Sequence, residues 1–77
     1  MLDVAVSWRS TGRNHAIGVY DGKRVIVQDT NKGDFEAEIS DDVTGKRIRY
    51  WCGMKTREEA LCVVQWLLLD AINKPAP

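Results

Sequence analysis

The chain is 77 residues long, with eleven basic residues balanced by eleven acidic ones and 44% of its positions hydrophobic. A chain of that size forms one domain with one core layer, and such domains stay marginally stable unless something staples or covers them. The balanced charge removes the global attraction that supplies most non-specific nucleic-acid affinity, so only a local basic patch is left for that role.

The opening MLDVAVSW is not a charged leader followed by a long apolar run. No stretch approaches the ~20 apolar residues of a membrane span. A soluble, cytoplasmic protein without a membrane partner is expected.

In chain order, residues 2–8 alternate, with Leu2, Val4, Val6 and Trp8 on one side, which predicts a strand. RSTGRN follows as a polar loop. AIGVYDGKRVIVQ then reads as a hairpin, because Asp21-Gly22 is the composition that a two-residue type I′ turn requires. TNKGD is a second turn, DFEAEIS an alternating strand, DDVTG a third turn and KRIRYWC the last strand.

The side-chain period of two predicts how the last two strands pair. With Ile39 opposite Ile48, Ala37 meets Tyr50, Phe35 meets Cys52, and a four-residue loop from Asp42 to Gly45 closes the hairpin. Ile48, Tyr50 and Cys52 are then core residues. Arg47, Arg49 and Trp51 form a row on the solvated side, bordered by Glu38 opposite Arg49 and Glu36 opposite Trp51.

Beyond Gly53, Thr56-x-x-Glu59 is a capping box that opens a helix running to about Asn73, and Pro75 would stop it. At 100° per residue Ala60, Leu61, Val64, Leu67, Leu68, Ala71 and Ile72 share one broad face that can cover a small sheet. Cys62, Trp66 and Leu69 lie opposite. The fold class is therefore α+β: an antiparallel meander of four to five short strands over residues 2–53, one C-terminal helix packed on one face, and a short Pro-containing tail at 74–77.

Chemistry-bearing motifs are absent from this reading. Cys52 and Cys62 have neither CxxC nor Cys/His ligand spacing, so they are read as free, buried or half-buried thiols on different faces, with no metal or cofactor. His15 has no nucleophile set beside it by a known motif. Asp41-Asp42 suit a turn, and Glu58-Glu59 suit the first turn of a helix, where the macrodipole favours acids. A non-enzymatic protein is expected.

Three surfaces remain as candidates for contact. The helix is apolar nearly all round, so Cys62, Trp66 and Leu69 are either covered by the N-terminal strand or the NKPAP tail, or form a surface for another protein or a second copy. The row Arg47, Arg49 and Trp51 is the second surface. The third is the loop with Arg9 and Arg13, whose cations could take an anion or an acidic partner.

From Phe35 onward, FEAEIS and then RIRYWCGMKTREEAL resemble the three-stranded-sheet-plus-helix DNA-binding domain of plant ethylene-response factors and the arm-binding domain of phage integrases. Ala37, Glu38, Ile39, Arg49, Trp51, Gly53, Thr56, Glu59 and Ala60 match that pattern, and the resemblance spans roughly residues 24–72. It implies that Arg49 and Trp51, together with Glu38, on the exposed sheet face, contact DNA; the DNA-binding alternative adds the Arg9/Arg13 loop, outside the resemblance, as a further contact. Further arginines usual in the family are replaced here by Val25, Gln28, Thr30, Lys32 and Ser40, which removes most of the phosphate-neutralising charge. Small size and balanced charge also resemble, in type, the inhibitor and adaptor proteins of phages, anti-CRISPR proteins among them. The expected function is a protein-binding module of that kind that occludes or bridges a partner; the alternative is a DNA-binding accessory domain.

Overall fold

The computed structural model describes residues 6–73. Strands β1 (Ser7–Thr11), β2 (His15–Tyr20), β3 (Lys23–Asp29), β4 (Phe35–Asp41) and β5 (Arg47–Met54) are followed by helix α1 (Arg57–Asn73). The sheet is an antiparallel meander in the order β1-β2-β3-β4-β5, with α1 packed on one face across β3, β4 and β5. That is the α+β architecture read from the sequence, with five strands.

The turns follow from their residues. Asp21 and Gly22 both have positive φ, 50° and 72°, as a type I′ turn demands, and Val19 pairs with Arg24 and Tyr20 with Lys23 on either side of it. In the β3–β4 turn the Asp29 carboxylate accepts from the Asn31 amide at 2.7 Å, which holds Asn31 at φ 67°. The β4–β5 loop hangs on Asp41. Its carboxylate accepts from the Val43 and Thr44 amides, both at 2.8 Å, and its own amide donates to the Lys46 carbonyl at 2.8 Å, closing the expected four-residue loop.

Alternation along β2–β4 sends Ala16, Val25, Val27, Ala37 and Ile39 toward the helix, where they are fully buried with Ala60, Val64 and Leu68; Met54 and Ala71 are buried nearly as deeply. Leu61, Val63, Leu67 and Leu69 pack against this core from the sides of the helix. Burying a side chain of the size of Leu68 contributes ~1.5–3 kcal/mol. Toward β1 the same face is covered differently. A Cβ on Gly18 would sit 2.7 Å from Val6 Cγ1 and 2.9 Å from Trp8 Cε3, so Val6 and Trp8 lie directly on this glycine.

The helix start is a variant of the predicted box. Thr56 Oγ1 accepts from the Glu59 amide at 3.1 Å, while the Glu59 carboxylate accepts from the amide of Lys55, one residue before the cap, at 3.3 Å. Two orphan donors are still satisfied.

The register of β5 differs from the expected one. Ile39 is paired with Arg49, Glu38 with Tyr50, Ala37 with Trp51 and Glu36 with Cys52, not Ala37 with Tyr50 and Phe35 with Cys52. The cause is two irregularities. Between Ile39 and Ser40, β5 carries one extra residue, so Ile48 and Arg49 together face Ile39. Between Phe35 and Glu36 it carries another, Gly53, at φ 89°, a conformation that a residue without Cβ adopts freely. The first shift turns residues 49–52 over and the second turns them back, so Met54 returns to the core with Phe35 opposite it.

Several expectations are corrected as a result. Ile48 packs against the core as predicted, but Tyr50, 38% exposed, and the exposed Cys52 lie on the helix-free face of the sheet. Arg49 and Trp51 point to the helix side, so Arg47, Arg49 and Trp51 are not one row. At the N-terminal end the strand continues through Arg9, Ser10 and Thr11, and the connection to β2 shrinks to Gly12–Asn14. The part of the first predicted strand before Val6, and the tail at 74–77, lie outside the described residues. Ile72, assigned to the buried helix face, is 39% exposed.

Candidate functional site

The sheet presents two different surfaces. Its helix-free face is a mixed polar surface whose groups bind one another. On β4, Glu36 accepts hydrogen bonds from Gln28 Nε2 and, at 2.7 Å, from the Tyr50 hydroxyl. The Gln28 bond, then the Tyr50 bond, hold the Glu36 carboxyl below the ordinary carboxylate value. The same bond to Glu36 is the main cause that pushes the Tyr50 hydroxyl up to about 12. Next to it Arg47 donates to Glu38 Oε1 from Nε at 3.2 Å and Nη2 at 3.1 Å, with its guanidinium 4.5 Å above the Tyr50 ring. A cleft of about 620 Å³ opens beside this network, lined by Gln28, Glu36, Tyr50, Cys52 and the β3–β4 turn.

A hydrogen bond at the β1–β2 hairpin joins Ser10 Oγ and His15 Nε2 at 3.0 Å. No sequence motif marks this pair, because only the extension of β1 through Ser10, in a stretch expected to be loop, brings it beside His15. The His15 ring lies against Gly12, where a Cβ would come within 2.7 Å of Cε1, so the pair locks the hairpin end. The two cations expected in one loop are separated: Arg9 is an exposed β1 residue at a register shift between Trp8 and Ser10, and Arg13 is exposed in the turn.

The second surface is the flank where α1 overhangs the edge strand β5. Arg49 Nε donates to Asp70 Oδ2 at 2.8 Å, and its Nη1 donates to the Ile48 carbonyl at 2.9 Å, which ties strand to helix. The sequence carries one signal for this: Asp70 interrupts an otherwise apolar run. Without the β5 bulge, however, Arg49 points away from the helix. Lys55 and Thr56 connect strand to helix. Trp51 follows Arg49 by two strand residues and so faces the helix side with it, and Trp66 precedes Asp70 by about one helical turn.

Trp51 is 60% exposed and Trp66 77% exposed, the two most exposed aromatic side chains among the described residues. The exposed Cys62, one turn before Trp66, continues this ridge. Leu69, predicted to belong with Cys62 and Trp66, is half-buried against the core instead. The residues before Val6 and the tail at 74–77, the segments expected as covers for Trp66, lie outside the described residues. The structure therefore turns Trp51 to the helix side of the sheet, and it separates Arg47 and Glu38, which belong to the opposite face.

Among the described residues no His, Cys, Asp or Glu side chains gather in threes to hold a metal ion, and no helix is long and apolar enough to cross a membrane. No protein-family model, curated protein sequence or solved structure matches the chain.

Proposed function

We propose that the chain is a small non-catalytic protein-binding module, an inhibitor or adaptor of the phage type, which engages its partner through the Trp51–Trp66–Cys62 flank. One observation carries this reading: two tryptophans stand mostly in solvent, on a strand and a helix that an ion pair holds together. Exposed contiguous apolar surface marks interfaces, and tryptophan is enriched among the residues that dominate binding energy. Because Arg49–Asp70 fixes both elements, the ridge is pre-organised and little ordering entropy opposes docking.

The test is capture from a lysate of the source cells on immobilised protein, with masses measured with and without nuclease. Retained proteins should disappear with Trp66→Glu and persist after nuclease. Identical capture by Trp66→Glu would sink the reading.

The DNA-binding alternative draws its support from the ethylene-response-factor pattern at Ala37-Glu38-Ile39 and Thr56-x-x-Glu59. On the helix-free face it has Arg24 and Arg47 beside Glu36 and Glu38, with Arg47 already engaged by Glu38. Should it hold, duplex binding would fall steeply with salt and weaken with Arg47→Ala.

A further inference from the structure

The protein-binding reading makes no use of the helix-free face, where the cleft of about 620 Å³ lies between the β3–β4 turn and the Glu36 network. That volume is within the ~300–1,000 Å³ of small-molecule sites. Its walls are braced. Gln28 stands opposite Glu36 and Glu36 opposite Cys52 across the strands, and the Tyr50 hydroxyl reaches Glu36 from β5. In the turn the Thr30 amide donates to the Asp34 carbonyl at 3.1 Å, the Thr30 hydroxyl donates to the Asp34 carboxylate, and the Lys32 amide donates to Thr30 Oγ1 at 3.2 Å. The floor does not change across the neutral pH range, since Tyr50 is pushed up to about 12 and Glu36 is held below its ordinary value.

The lining narrows the ligand by its chemistry. Asp29, Asp34 and Glu36 against Lys32 leave an excess of negative charge, which acts against an anion such as a phosphate. A cation is not served either, because each carboxylate already accepts from a neighbour and, among the described residues, no three acids converge as a metal site requires. Apolar lining is limited to Tyr50 and Cys52. What remains is a mixture of donors and acceptors. Gln28 uses one amide N–H on Glu36 and keeps the other beside its carbonyl oxygen, the exposed Asn31 keeps both ends of its side-chain amide, and the exposed Lys32 makes no ion pair with a described residue. Hydroxyl groups answer such a mixture, because each one both donates and accepts. The Tyr50 ring, with Arg47 on one side, adds an apolar contact for the C–H face of a ligand ring.

We infer that this cleft binds a neutral polyhydroxylated ligand of one or two sugar rings, hydrogen-bonded by Gln28, Asn31 and Lys32 and seated against Tyr50. The site lies on the sheet face opposite α1 and is independent of the protein-binding reading.

The probes are maltose, cellobiose and lactose, with spermidine as the cationic comparison, each titrated to millimolar concentration into the isotope-labelled full chain. The side-chain amide signals of Gln28 and Asn31 and the backbone signals of the β3–β4 turn are followed by NMR. At least one disaccharide is expected to move them saturably and to leave the Trp66 indole signal in place. Asn31→Gly removes the side-chain amide while glycine accepts the φ of 67° there, and it should weaken that disaccharide about two- to tenfold. Gln28→Leu should weaken it by a similar factor. The inference is overturned if no disaccharide gives a saturable shift, or if neither variant changes the affinity. Tighter binding of spermidine than of every disaccharide overturns it as well, in favour of a cationic ligand. None of these results touches the protein-binding reading, which the Trp66→Glu capture experiment tests separately.

Discussion

Strands β2, β3 and β4 pair residue for residue from His15 to Asp41, whereas β5 shifts its register twice within eight residues. The central strands have neighbours on both sides, so a slip there would move a whole set of Val, Ile and Ala side chains out of the core. At the edge, β5 has one neighbour only, and its outer side can bend without breaking a second ladder. The bulges use that freedom to re-aim residues 49–52. Arg49 gains Asp70, Tyr50 gains Glu36, and Trp51 turns to the helix side of the sheet. The regular strands supply the stability, and the irregular one supplies the surface chemistry.

The sharpest way to break this comparison is truncation on each side of it. Leu68→Ala removes a fully buried side chain that packs on the regular strands, and it should destabilise the domain by ~2–5 kcal/mol. Tyr50→Ala removes a residue that a strict period of two assigns to the core. It should cost only about 1 kcal/mol, because a surface hydrogen bond and partial ring contacts are lost without a cavity forming. Chemical denaturation of the two variants checks the contrast. A Tyr50→Ala loss as large as that of Leu68→Ala would mean that Tyr50 is core and β5 unbulged.

What the sequence made legible follows the same division. The Asp21-Gly22 turn, the core side of Ala37 and Ile39, the Thr56 cap and the helix limits are all local patterns, each set by residues a few positions apart. The turned-over segment is not local. RIRYWC alternates equally well in either phase, and only the competition between Ile48 and Arg49 for the place opposite Ile39 decides it. Gly53 was the available clue, since a glycine inside a strand pattern marks a bulge. Trp66 was legible as an outward residue from helical periodicity alone, but the helix-side placement of Trp51 depended on the bulge.

Gly53 gives the next smaller effect. At φ 89°, with open space around a built Cβ, Gly53→Ala meets no steric neighbour, so its whole cost is backbone conformation, ~1–2 kcal/mol. Gly22→Ala, at φ 72° and also in open space, should cost a similar amount through its turn. The two differ in what moves. Gly53→Ala should perturb the indole signal of Trp51 and the Tyr50 environment, whereas Gly22→Ala should leave both unchanged. A Gly53→Ala protein with wild-type stability and spectra would remove the second bulge from the account.

The smallest effect probes the helix-free side of β5 by titration. Glu36 has a folded-state pKa below the ordinary value of 4.5, because Gln28 and Tyr50 donate to its charged form. A depressed carboxylate contributes stability that is present above its unfolded pKa and is lost as the pH falls through the folded one. Tyr50→Phe deletes one of the two donors and leaves the ring under Arg47. The Glu36 pKa, followed by carboxyl NMR, should therefore rise toward 4.5 without reaching it, since Gln28 still donates. Wild type should lose more stability than the variant between about pH 5 and pH 3, and the two should converge below the wild-type Glu36 pKa. Gln28→Leu removes the other donor and should raise the pKa further than Tyr50→Phe, because the Gln28 bond is the larger cause. If Tyr50→Phe leaves the Glu36 pKa unmoved, the Tyr50 hydroxyl does not reach β4, and residues 49–52 do not face the way the two bulges turn them.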